Sequence, residues 1–127
     1  MNELVTLAIK ARENAYTPYS GYNVGAALQT KSGKIYLGCN IENASFSPTV
    51  CAERVAFFKA ISEGEREFEK IAVVGGKEKI EDFAPPCGVC RQVIAEFCPP
   101  DFEIILYNGK EEKVYKLKEL LPLSFSL

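Results

Sequence analysis

Ile71-Ala72-Val73-Val74-Gly75-Gly76 is an uncharged run closed by paired glycines, and it reads as a central strand. Upstream lies a helical stretch from about 51 to 61, ended by Gly64; downstream, a loop through Pro85-Pro86 opens another from about 88 to 97, which Pro99-Pro100 halts. A strand reached through a helix runs parallel to something in its sheet, since a tight hairpin joins only antiparallel neighbours.

Further out, Leu4, Ala8, Ala11 and Ala15 share one face of a helix expected from 3 to about 15, with Pro18 as its stop. Its alanines imply close packing against a neighbour. Tyr19-Ser20-Gly21-Tyr22 is a turn-rich loop leading into Val24-Gly25-Ala26-Ala27-Leu28, a buried strand with small residues where another backbone comes near. Ser32-Gly33 turns the chain, and Ile35-Tyr36-Leu37-Gly38-Cys39 returns antiparallel. Near the end, Glu103-Ile104-Ile105-Leu106-Tyr107 and Val114-Tyr115-Lys116-Leu117 form a second hairpin around Asn108-Gly109, followed by a short helical turn and an apolar tail. The order α, β, β, α, β, α, β, β predicts an α/β fold with a mixed five-stranded sheet and helices on its faces. At 127 residues the chain has a common single-domain size, so one domain is expected over 1–127.

Both helices flanking the central strand begin on cysteine. Cys51-Ala52-Glu53-Arg54 opens the first and Pro86-Cys87-Gly88-Val89-Cys90 the second, at the carboxyl ends of strands where open sheets place their clefts. A structural zinc site wants four protein ligands, whereas a catalytic one uses three and leaves a corner open. Cys51, Cys87 and Cys90 therefore fit the open kind, with Glu53 beside the first ligand as a proton carrier. C-x-E followed by P-C-x-x-C is the signature of zinc deaminases with an all-cysteine ligand set. Within a helix Cys51 and Glu53 would diverge by roughly 200°, so aiming both at one point is easy only in a first turn, and a helix starting near Cys51 satisfies that demand. Three thiolates outweigh the charge of Zn²⁺. Helix N-termini and the guanidinium of Arg54 or Arg91 are the candidates to offset the excess.

The bland readings stay in view. The three cysteines also suit a structural zinc knot or a redox pair, Asn40 and Glu42 suit a turn, and Phe125 suits local packing of the tail. Cys39 reads as a small core residue and Cys98 as a helix-end filler.

Composition closes off other chemistry. The chain has no histidine, which excludes His-based triads and His-ligated metals. A net charge of -2 with interleaved lysines and acids gives no basic stripe for nucleic acid. No apolar run is long enough for a membrane span, and the start at Met1-Asn2-Glu3 lacks a signal-peptide pattern. Five cysteines grouped in this way suit a reducing compartment, and a cytoplasmic location is expected.

Through Tyr19-Ser20-x-Tyr22-x-Val24-Gly25-Ala26-Ala27-Leu28, Cys39-Asn40-Ile41-Glu42-Asn43-Ala44-Ser45, both cysteine motifs with Arg91-Gln92, and Leu121-Pro122-x-x-Phe125, the chain resembles the small, homotetrameric, three-cysteine cytidine deaminases. The resemblance implies a three-layer α/β/α fold whose last two strands are antiparallel, and one Zn²⁺ per chain. It implies hydrolytic deamination of cytidine and 2'-deoxycytidine, with Glu53 catalytic and Tyr22, Asn40, Glu42, Ala52 and Phe125 in contact with the nucleoside. Asn40 and Glu42 would hold the ribose hydroxyls, Tyr22 stands where relatives usually carry Phe beside the base, and Phe46 stands where they commonly carry Tyr. Phe125 would stack on the base in another subunit of a homotetramer. The alternatives are a deaminase of another free nucleoside such as blasticidin S, and a zinc-stabilised binding module without turnover.

Overall fold

A computed structural model describes residues 1–127. Helix α1 spans Glu3–Ala11 and runs into a 3-10 turn at Arg12–Asn14; β1 spans Asn23–Thr30, β2 Ile35–Cys39, α2 Ala52–Ser62 and β3 Phe68–Gly76. Then come α3 at Gly88–Phe97, β4 at Glu103–Tyr107, β5 at Glu112–Lys116 and α4 at Leu117–Leu120. The five strands form one mixed sheet in the order β2-β1-β3-β4-β5. Strand β3 is central, antiparallel to β1 and parallel to β4, which the chain reaches through α3. The last pair, β4 and β5, is antiparallel.

Side chains alternate across the sheet, and each face makes its own core. Ile71 and Val73 of β3, Ile104 and Leu106 of β4, and Ala26 and Leu28 of β1 meet Ala52, Ala56, Phe57, Ala60 and Ile94 from α2 and α3. Ala72, Val74, Ile105 and Ala27 point the other way, to Leu4, Val5 and Ala8 of α1. The result is the three-layer α/β/α arrangement, with α1 alone on one side. Phe57 stands edge-on to Phe68 with centroids 5.0 Å apart and anchors α2 in the larger core.

Two glycines let the outer layers approach. A Cβ at Gly25 would meet the Ala8 carbonyl and the Arg12 nitrogen, and one at Gly38 would meet the Ala52 carbonyl and the Ala56 nitrogen. Gly38 thus seats the first turn of α2 against the sheet, and with it the start of the motif at Cys51.

Some boundaries depart from the sequence expectation. The α-helix ends at Ala11 instead of near 15, because Arg12 turns its guanidinium onto the carbonyls of Asn23, Gly76 and Lys77, and Tyr16 leaves to bridge Ile41. Strand β3 begins at Phe68, where Lys70 already pairs with Gln29; the charges of Glu69 and Lys70 hide this end from an apolar pattern. Strand β5 runs from Glu112, and Leu117 belongs to α4.

Gly38→Ala is expected to destabilise the protein by about 2 to 3 kcal/mol, seen as a lower urea midpoint at unchanged slope. An unmoved midpoint would mean that α2 can stand off from the sheet.

Candidate metal centre and active site

Cys51 and Cys87 are the N-caps of α2 and α3, both with extended backbone, and Cys90 lies within the first turn of α3. Pairing of Asn23 with Gly76 and of Gly25 with Cys39 puts the start of β1 and the ends of β2 and β3 along one edge of the sheet. The site stands at that edge. The three sulfurs lie within 4.8 Å of one another, and Cys51 Sγ is 3.7 Å from Cys87 Sγ. A tetrahedral zinc with bonds of about 2.3 Å holds its sulfurs about 3.8 Å apart, so the spacing fits that ion. No aspartate or glutamate joins the cluster, which leaves the donor set at three.

The neighbours favour a charged sulfur at Cys51. Cys90 donates to it, Arg54 Nη2 approaches it at 3.4 Å, and Cys87 also faces it; together they overcome burial and hold the Cys51 thiol at about 5. The Cys90 thiol is pushed up in return, first by that hydrogen bond and then by burial. The Cys90 amide points at Cys87 Sγ from 3.5 Å, an N–H of the helix first turn aimed at a ligand. Glu53, only 4% exposed, lies two residues into α2. Burial, helped by the charge on Cys51, raises its carboxyl to about 7.

A cavity of about 320 Å³ opens beside the cluster, and Tyr22, Asn40, Cys51, Ala52, Glu53 and Cys87 all line it. Asn40 clamps the entry loop: its carbonyl oxygen accepts from the Val24 amide at 2.9 Å and its NH₂ donates to the Tyr22 carbonyl at 2.8 Å. One N–H and one lone pair of that carboxamide are left over. Glu42 is not in this cavity. Its carboxylate accepts from the Ser20 hydroxyl and from the amides of Tyr19 and Ser20, and the hydroxyl in particular holds it below the usual carboxylate range. It lines a neighbouring hollow with Tyr19, Ser20, Phe46 and Thr49, and Thr49 borders both spaces.

The arginines divide. Arg54 reaches the sulfurs, whereas Arg91 gives its hydrogen bonds to the carbonyls of Pro86, at 2.7 Å, and Leu120, at 2.6 Å. Arg91 therefore braces the loop that carries Cys87 and touches no thiolate. Phe125 lies in the exposed tail, lining another hollow with Ala95, Cys98 and Leu121. Cys39 and Cys98 stay outside the cluster, and burial pushes the Cys98 thiol up to about 12, as suits a packing residue.

Sequence reasoning did not assign Thr49, Val50, Phe83, Ala84 or Pro85 to the site, and all of them line the cavity. The available signal was position: each group immediately precedes a cysteine motif.

Residues 1–106 match the family model described as the cytidine and deoxycytidylate deaminase zinc-binding region. A cytidine deaminase from Sporosarcina psychrophila is 50% identical over 127 residues, covering 99% of this chain and 91% of that protein. One from Halalkalibacterium halodurans is 50% identical over 125 residues, covering 97% and 92%. The crystal structure of cytidine deaminase from Burkholderia pseudomallei superposes with a TM-score of 0.90 at 45% identity, covering 98% of this chain and 100% of the other.

Elemental analysis of purified protein is expected to find about one zinc per chain. Cys90→Ala is expected to lose the metal while Cys98→Ala keeps it; the reverse pattern would relocate the centre.

Proposed function

The chain belongs to the cytidine and deoxycytidylate deaminase family, and we propose that Glu53, buried against a three-cysteine zinc centre, carries its reaction. That reaction is the hydrolytic deamination of cytidine and 2'-deoxycytidine to uridine and 2'-deoxyuridine with release of ammonia. The observation that carries the reading is the juxtaposition of a buried carboxyl with three converging sulfurs, the Glu53 carboxyl and the sulfur ligands Cys51 and Cys87 lining one cavity and Cys90 standing behind them.

Cys51, Cys87 and Cys90 would hold one Zn²⁺, whose Lewis acidity brings the pKa of water toward neutrality. The Glu53 carboxylate takes a proton from the attacking water and gives it to the ring nitrogen beside C4, which makes that carbon electrophilic. It then carries a second proton to the departing amino group, so that water and cytidine leave as uridine and ammonia. A base as flat and uncharged as cytosine suits a small cavity with an aromatic wall. Ala52 begins α2, so its N–H has no partner within the helix and is free to meet a carbonyl of the base. The spare N–H and lone pair of Asn40, with the carboxylate of Glu42 across Thr49, suit a ribose that extends from one hollow into the next.

The same reading makes the active unit a homotetramer with sites near subunit interfaces. Exposed Phe46, Phe58, Val89 and Phe125 support it, since apolar side chains on a surface mark contact with other chains. No helix is long and apolar enough to cross a membrane. The cytoplasm is the proposed location, supported by five cysteines that are all free.

Glu53→Gln is expected to keep zinc and fold but to lose about 10³-fold or more in kcat, followed by the ultraviolet change of cytidine and by ammonia release. A variant that still turns over would remove Glu53 from the mechanism. Arg54→Gln, which withdraws a donor from Cys51, is expected to lower zinc retention under chelator or turnover by about tenfold. Unchanged zinc content and unchanged rate would refute its part in balancing the thiolate charge.

A further inference from the structure

One wall of the cavity is built from Phe83, Ala84 and Pro85, in the connection between β3 and α3. None of the backbone hydrogen bonds made outside helices and strands involves residues 77 to 86. The wall is held from outside. At its start Arg12 donates to the carbonyls of Gly76, Lys77 and Glu78 at 3.0, 2.7 and 3.3 Å. At its end Arg91 holds the Pro86 carbonyl. Between those clamps Ile80 packs on the smaller core and Phe83 on the larger, and the Phe83 ring carries the Lys113 ammonium 5.1 Å from its centroid. The register agrees: Lys113 pairs with Leu106, a member of that same core, so both stand on the sheet face where Phe83 lies.

We propose that Lys113, on the edge strand β5, is a positioning residue for the pyrimidine cavity and acts through Phe83. An ammonium over an aromatic face is attracted by the ring quadrupole, and here it fixes a ring that no backbone hydrogen bond fixes. Phe83 then offers the base an aromatic surface in the cavity that Tyr22 also lines, a surface suited to a planar heteroaromatic ring. The inference rests on the deaminase reading, and it concerns binding more than the chemical step.

The test uses the zinc-loaded protein and the variants Lys113→Met, Lys113→Arg, Phe83→Ala and the Lys113→Met/Phe83→Ala double. KM and kcat are measured with cytidine, and Kd for uridine by equilibrium dialysis. Lys113→Met is expected to raise KM and the uridine Kd about two- to fivefold and to leave kcat nearly unchanged. Lys113→Arg keeps the cation and should behave as the parent. Phe83→Ala should weaken both constants about tenfold, and the double variant should match Phe83→Ala alone, because the lysine has then lost its target. Where Phe83→Ala does not fold, Phe83→Leu retains the volume without the aromatic face, and Lys113→Met should add nothing in that background. An unchanged Kd in Lys113→Met, an arginine variant as weak as the methionine one, or a lysine effect that persists without the ring would each overturn the proposal. A parent protein inert toward cytidine would instead sink the deaminase reading, and the uridine measurement would still decide this one.

Discussion

Three sulfur atoms within 4.8 Å of one another come from two different helices, and the architecture is arranged around that convergence. A helix start is where residues two apart, such as Cys51 and Glu53, can face the same point, because within the helix they would fan around the axis. Both caps must also lie at one edge of one sheet face. A parallel β3–α3–β4 unit beside α2 supplies this geometry, and Gly38 lets α2 come close enough. The core of Phe57, Ile71, Val73, Ile94 and Leu106 keeps the two helices on the same face.

Electrostatics adds a second demand. A centre of three thiolates and a divalent cation carries net negative charge, and the chain has no neutral imidazole to relieve it. Relief comes from groups already required by the fold. The Cys90 amide faces Cys87, and the Arg54 guanidinium faces Cys51. Glu53 meets the opposite situation: beside an anionic sulfur and without solvent, its proton is retained toward neutral pH.

Much of this was legible in the sequence, and what was not has physical reasons. The uncharged run at Ile71 to Val74 and the flanking helix signals pointed to a central strand parallel to some neighbour, and the family resemblance supplied the three layers. Cysteine spacing and the absence of histidine pointed to Cys51, Cys87 and Cys90, whose sulfurs do converge. Strand β3 was read short because its first pairs are made by Phe68 and Lys70 around an exposed Glu69, so charged side chains interrupt the apolar pattern there. Arg91 is adjacent in sequence to a ligand yet grips backbone carbonyls, since helix direction decides where a guanidinium can reach. Glu42 follows Asn40 by two positions but faces a different hollow, because the Ser20 and Tyr19 amides draw its carboxylate toward them. Phe83 has no local pattern at all; its place in the wall comes from contacts distant in sequence.

Because no backbone-to-backbone hydrogen bond outside helices and strands involves residues 77 to 86, and the arginines that clamp this connection grip main-chain carbonyls, its side chains can be exchanged without loosening those clamps. The cavity wall and the sulfur ligands thus rest on separate supports, the one largely on side-chain packing and the other on helix starts.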